Sequence, residues 1–264
     1  LKKIFPKYSK FIFCNTGSEA ITKSLRISNA ISKKNFIISV TGSWHGSVDK
    51  TLFTAKQNLK AIPISSGLGE FNKKNIKFIP YNNISVSKKI LNKNKDRVSC
   101  VIIEPIQASL PQQNVKKYLK FSIEYCNKNN IIIIFDEMIT GLRFKGSSVQ
   151  QSFNLRPDIS TFGKCFGGGF PIGIIAISEK INRRISKLNK KVFFGGTFSG
   201  NQISTYVGKK TTEFILKNKK NILKKIEKNS NTLEKNILKF IHENKIKANL
   251  LRCESIFRII FNKK

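Results

Sequence analysis

Along the chain, short continuous apolar runs alternate with longer stretches whose apolar positions recur at helical spacing. The runs are FIF at 11–13, FIISV at 36–40, IKFI at 76–79, CVII at 100–103, IIIIF at 131–135, IST at 159–161 and IGIIAI at 172–177. Continuous rather than alternating apolarity implies strands covered on both faces. Between the runs, the spacing predicts helices at about 18–33, 116–128 and 201–217, and Thr16, Ser18 and Glu19 give the first a capping signature. This rhythm predicts an α/β fold with a mostly parallel sheet sandwiched by helices.

Past about residue 220 the pattern changes. Ile222, Ile226, Leu233, Ile237 and Ile241 keep near-helical spacing in a Lys-rich segment, and SIFRIIF at 255–261 reads as a strand. Residues 1–220 therefore read as a large domain, and 221–264 as a connecting helix and the start of an incomplete C-terminal small domain. The opening LKKIFPKYSK has no initiating Met, and the closing FRIIFNKK stops where an apolar run has just begun. Both ends are expected to be cut.

With 264 residues, 40% of them hydrophobic, the chain is long and apolar enough for one large core. Lys and Arg number 49 against 15 Asp and Glu, a formal net charge of +34 that prompts a search for nucleic acid. The lysines are spread with Asn and Ile, as in NKKNILKKIEKNSNTLEKN, with no recognition motif beside them. That distribution favours a solvated face over a binding footprint. Five cysteines, none in a CxxC pair, support neither a disulfide framework nor a metal site, and they suit a reducing compartment such as the cytoplasm. IIIIF is too short to cross a bilayer, so no membrane is expected.

In open α/β sheets ligands sit at the carboxyl ends of the strands, so the residues that end each run carry the candidate chemistry. NTGSEA, residues 15–20, turns the chain into a helix whose free N–H groups suit a phosphate. In TGSWHG, residues 41–46, the chain's only Trp, Trp44, can stack on a planar ligand, the alternative being packing for Trp44 and a structural hydrogen bond for His45. Glu104 follows CVII, and Asp136 and Glu137 follow IIIIF, where a carboxylate needs either an ion pair with Arg143 or a lysine, or a ligand cation. Lys164 stands among Gly163, Gly167, Gly168 and Gly169, where an amine can condense with an aldehyde. The glycine spacing is neither a P-loop nor GxGxxG. A phosphate cradle, a stacking aromatic, an acid for a ring nitrogen and a lysine for an aldehyde are the four handles of pyridoxal 5'-phosphate.

NTGSEA, SWHG, IIEPIQ, IIIIFDEMITGLR, PDISTFGKCFGGGFPIG and GGTFSGN resemble, in order, the motifs of the class III aminotransferases. These are fold type I pyridoxal-phosphate enzymes, and GTFSGN with SIFRIIF is similar to the glutamate-1-semialdehyde 2,1-aminomutase branch. The resemblance implies that Lys164 forms the Schiff base and shuttles the proton, while Asp136 holds the ring nitrogen. It implies that Trp44 and Met138 cover the two ring faces, Gly17 and Ser18 hold the phosphate, and Thr197 reaches the neighbouring subunit's phosphate in a homodimer. Glu104, Glu137 and Arg143 would shape the substrate side, for a small-molecule amino donor and a carbonyl acceptor. Ala108 and Gln202 depart from the usual glycine and proline, away from the cofactor handles. The competing readings are an inactive aminotransferase-fold fragment and a basic nucleic-acid-binding protein.

Overall fold

A computed structural model describes residues 1–56 and 58–261; the last residues of the proposed small domain, 262–264, lie outside the described set. The first half runs β1 (Tyr8–Cys14), α1 (Gly17–Ser32), β2 (Phe36–Val40), a small hairpin of β3 (Phe53–Ala55) and β4 (Ala61–Pro63), α2 (Glu70–Lys74), β5 (Ile76–Ile79), α3 (Ile84–Asn94) and β6 (Val98–Ile103). The second half runs α4 (Lys116–Lys128), β7 (Ile132–Asp136), α5 (Val149–Ser152), β8 (Ile159–Gly163), β9 (Gly173–Ser178), α6 (Glu179–Ser186), α7 (Gln202–Lys217), α8 (Lys219–Glu243) and a hairpin of β10 (Ala248–Cys253) and β11 (Ile256–Phe261).

Seven strands form one sheet in the order β1-β9-β8-β7-β6-β2-β5. The pairs β2–β5, β2–β6, β6–β7 and β7–β8 are parallel, while β9 runs antiparallel to both β8 and β1. β1 thus points the same way as the parallel strands.

The continuous apolar runs are explained by the two covers. Ile38, Val101, Ile103, Ile133 and Phe135 pack on one face with Leu91 of α3 and Tyr118 and Leu119 of α4. Ile37, Cys100, Ile102, Ile132 and Ile134 pack on the other with Ala20, Ile21 and Leu25 of α1 and Ile181 of α6. Alternate side chains of each strand serve opposite cores. Among the described residues β10 and β11 pair only with each other, yet Cys253 and Ile256 are buried in the first of these cores. Among the described residues no helix is long and apolar enough to cross a membrane.

Candidate active site

Because β1, β2, β6, β7 and β8 point the same way, the loops that follow them meet along one sheet edge. There a cavity of about 370 Å³ brings together Gly17, Ser18, Trp44, Glu104, Asp136, Met138 and Lys164. A larger groove of about 600 Å³, between residues 1–4 and α7, contains none of these groups.

Asp136 is the last residue of β7 and shares the strand face of Ile132 and Ile134, the α1 side, on which the cavity opens. Its Oδ1 accepts from the Met138 amide and the Thr161 hydroxyl, both at 3.2 Å. Its Oδ2 lies 2.8 Å from Nδ1 of His45, and both side chains are almost fully buried. With the hydrogen on Nδ1, the placement a carboxylate partner dictates, Nε2 is left buried without a partner among the described residues. The arrangement fixes the orientation of the carboxylate. His45, which the sequence offered only as a structural hydrogen bonder, is thus the partner of Asp136.

Lys164 follows β8 directly. Its side chain is exposed within the cavity, and it makes no hydrogen bond or ion pair with other described residues. Its φ is +47°, a left-handed conformation that a side-chain-bearing residue rarely adopts and that costs on the order of 1 kcal/mol. At the start of α1, a helix of 16 residues, the Thr16 hydroxyl caps the Glu19 amide, and the amides of Gly17 and Ser18 find no acceptor among the described residues. The Ser18 hydroxyl accepts from the Ser47 amide at 3.0 Å, which ties the α1 start to the Trp44 loop.

Trp44 is 56% exposed at the cavity mouth. Its backbone amide donates to Glu104 Oε1 at 2.5 Å, and burial pushes the Glu104 carboxyl up to about 7 against the pull of nearby His45 and Lys164. Met138 fills the space between two glycines: a Cβ at Gly17 would stand 2.9 Å from its Sδ, and one at Gly163 2.8 Å. Phe170, also on the cavity wall and 45% exposed, had no sequence signal beyond its place after three glycines.

Three expected site residues stand elsewhere. Glu137 is fully buried, and its carboxylate accepts from the amides of Val149 and Gln150 and from the Thr140 hydroxyl. Arg143 approaches Cys165 Sγ at 3.6 Å and lines a separate groove between α8 and the β10–β11 turn. Thr197 is exposed on the turn between Gly195 and Gly200, outside this cavity. The Lys23 amine, which pairs with Glu19, reaches Ser199 of that turn at 3.3 Å.

Residues 1–252 match the model of the family described as Aminotransferase class-III. Over 259 residues the chain is 35% identical to a glutamate-1-semialdehyde 2,1-aminomutase of Methanococcus vannielii, covering 96% of this chain and 59% of that protein. It is 34% identical over 260 residues to the like-named protein of Methanocaldococcus jannaschii, with the same coverage. An omega-transaminase from Sphaerobacter thermophilus superposes with a TM-score of 0.87 at 20% identity, over 100% of this chain and 62% of that one. A glutamate-1-semialdehyde-aminomutase from Pseudomonas aeruginosa in complex with PMP gives 0.86 at 17% identity, over 98% and 59%. The chain thus spans about three fifths of the length of these relatives, and it belongs to the class III aminotransferase family.

Proposed function

We propose that this chain carries the cofactor-binding and proton-transfer core of a pyridoxal-phosphate-dependent enzyme that moves amino groups, of the glutamate-1-semialdehyde 2,1-aminomutase type. The observation that carries this reading is the meeting of Lys164, Asp136 and the unpartnered amides of α1 in one cavity. These groups fit the cofactor: an oriented acid for a pyridinium nitrogen, two free N–H groups at a helix start for a phosphate, and an unencumbered amine for an aldehyde.

When bound, pyridoxal phosphate supplies a carbonyl for amines and a ring that draws electrons from the carbon losing its proton. Asp136, held by His45, Thr161 and the Met138 amide, would hold the protonated ring nitrogen and so support that withdrawal. Lys164 would supply the amine for the aldehyde, and the same amine would hold and move the substrate's proton. Trp44 and Met138, which both line the cavity, would cover the two ring faces. Glu104 is the substrate-side acid that shares the cavity, while Glu137 and Arg143 act at a distance. The substrate is a small amino-aldehyde such as glutamate 1-semialdehyde, or a separate amino donor and carbonyl acceptor.

Two copies would place Thr197 of one against the phosphate site of the other. Phe193, Phe198, Ile203 and Tyr206, all more than 60% exposed around that turn, supply apolar surface for such a homodimer. Neither nucleic acid nor a membrane enters the reaction, and the free cysteines suit the cytoplasm. Residues 1–220 form the cofactor-binding part and 221–264 the connecting helix and the start of a small domain.

The test is incubation of the purified protein with pyridoxal phosphate, borohydride reduction and peptide mapping by mass spectrometry. A pyridoxyl adduct on Lys164, absent from Lys164→Ala, is expected. A folded protein labelled on its other lysines but not on Lys164 sinks the reading.

A further inference from the structure

Lys23, in the second turn of α1, is the one buried Lys or Arg among the described residues, its side chain 6% exposed. An ammonium taken out of water is costly unless its charge is met. Its partners are the Glu19 carboxylate, with Oε2 at 3.2 Å, and the Ser199 hydroxyl at 3.3 Å. Lys23 also acts on Cys14 at the end of β1, but burial pushes that thiol up against the pull of Lys23, so it stays neutral and cannot replace Glu19.

Glu19 lies in the first turn of α1, beside the Gly17 and Ser18 amides that serve as phosphate donors in the cofactor reading. Its carboxylate reaches back to Asn15 on the cavity wall, accepting from the backbone amide at 3.4 Å and from Nδ2 at 3.2 Å. Burial alone would raise the Glu19 carboxyl, yet the bonds from Lys23 and Asn15 hold it below the ordinary carboxylate range. It is therefore an anion at neutral pH. A carboxylate in that turn opposes a phosphate there, because both answer to the same positive end of the helix. Across from it, a Cβ at Gly196 would stand 3.8 Å from Glu19 Oε2, and the Ser199 amide closes its turn on the Gly196 carbonyl at 2.9 Å. The cation that answers Glu19 is thus held in place by the turn that carries Thr197.

We propose that Lys23 is a positioning residue for the phosphate end of the cofactor site: fixed by Ser199, it orients and neutralises the Glu19 carboxylate, so that the first turn of α1 offers its free amides without an opposing negative charge. This rests on the cofactor reading above. Pyridoxal shares the ring and the aldehyde but lacks the phosphate, so the preference for pyridoxal phosphate over pyridoxal isolates the effect from the rest of the site.

Both ligands are titrated into the purified protein at low salt and followed by quenching of the single Trp, Trp44, at the cavity mouth. Lys23→Met leaves Glu19 unanswered and should lower the preference by about tenfold, with pyridoxal itself changed by less than about twofold. Adding Glu19→Gln to Lys23→Met should bring the preference back to within about threefold of the parent, a coupling that lost packing would not produce. Arg26, exposed and donating to the Phe193 carbonyl at 2.7 Å, is the control: Arg26→Met removes a cation near the same turn and should keep the parent's preference. Where Lys23→Met does not fold, Ser199→Ala carries the test, since it frees the ammonium from the turn and should lower the preference by about two- to threefold. Equal losses for the two ligands in Lys23→Met, a double variant no better than the single, a loss in Arg26→Met as large as that in Lys23→Met, or a parent-like preference in Lys23→Met or its Ser199→Ala substitute overturns the proposal. Borohydride labelling of Lys164 in the parent separates the two failures: a labelled parent with any of these results sinks this proposal alone, and an unlabelled one sinks the cofactor reading and this proposal with it.

Discussion

Asp136 and Glu137 are chain neighbours with opposite tasks. Side chains that follow one another at a strand end point to opposite faces, so Asp136 continues the row of Ile132 and Ile134 toward the cavity, while Glu137 continues that of Ile133 and Phe135 into the other core. There it accepts the first amides of α5 and holds residues 137–149 to the sheet. Burial pushes the Glu137 carboxyl up to about 7, opposed by its hydrogen bonds from Thr140, Gln150 and Val149. A carboxyl raised in the folded state keeps its proton longer folded than unfolded. Its contribution to stability is therefore full below the ordinary carboxylate range and is lost as pH rises to about 7. Glu137→Gln removes this dependence. Relative to that variant, the parent should lose on the order of 2–3 kcal/mol between pH 4.5 and pH 7, read by urea unfolding at both values. An unchanged difference would mean that Glu137 stays ionised throughout. Both acids were legible as candidates from their position after IIIIF, and the period-two rule could have sent them apart. His45 was not legible as a partner, because Asp136 lies 91 positions away.

At the scale of elements, three helices were read almost to the residue: α1 and α4, which bury several apolar side chains on one face, and α7, whose large apolar side chains Ile203, Tyr206 and Phe214 stand exposed, begin and end within one position of the expected bounds. α3 was not among the expected helices; only Ser87 and Leu91 are buried along it, and its local signal is the cap, where Asn83 accepts from the Val86 amide. The antiparallel course of β9 escaped because apolar content does not encode direction. The connection over residues 164–172 is, however, shorter than the dozen or so residues a parallel crossover takes. That short return also places Gly173 against the Thr16 carbonyl, only 2.1 Å from where a Cβ would stand, so β9 closes over the α1 start. α1 itself ends on Lys33 in the left-handed conformation, φ +56°, its amide on the Asn29 carbonyl. Glycine adopts this conformation without strain, so Lys33→Gly, exposed and far from the cavity, should stabilise the protein by about 0.5–1 kcal/mol. A thermal unfolding scan checks it, and a lower midpoint would show that the lysine contributes more through its side chain than its backbone loses.

At the scale of the whole molecule, the charge and the site are arranged separately. The buried carboxylates Glu104, Asp136 and Glu137 lie inside the sheet edge, whereas the excess cations cover the surface. Several of the exposed ion pairs are single helix-turn contacts, such as Lys120–Glu124, Lys209–Glu213 and Lys239–Glu243, each of which contributes little. With 49 basic residues against 15 acidic ones, most surface cations face other cations across water. Such a surface repels itself and opposes the compact state, and salt screens the repulsion with a Debye length that falls from about 30 Å at 0.01 M to about 8 Å at 0.15 M. Raising sodium chloride over that range should therefore raise the unfolding midpoint by roughly 2–4 °C, in contrast to a protein held by surface pairs, which salt would weaken. The same titration decides what the charge is for. A solvated face releases any nucleic acid over this range with no preference of sequence, and the cavity still takes up pyridoxal phosphate in its presence. Retention at 0.15 M together with loss of cofactor uptake would instead place nucleic acid at the site itself.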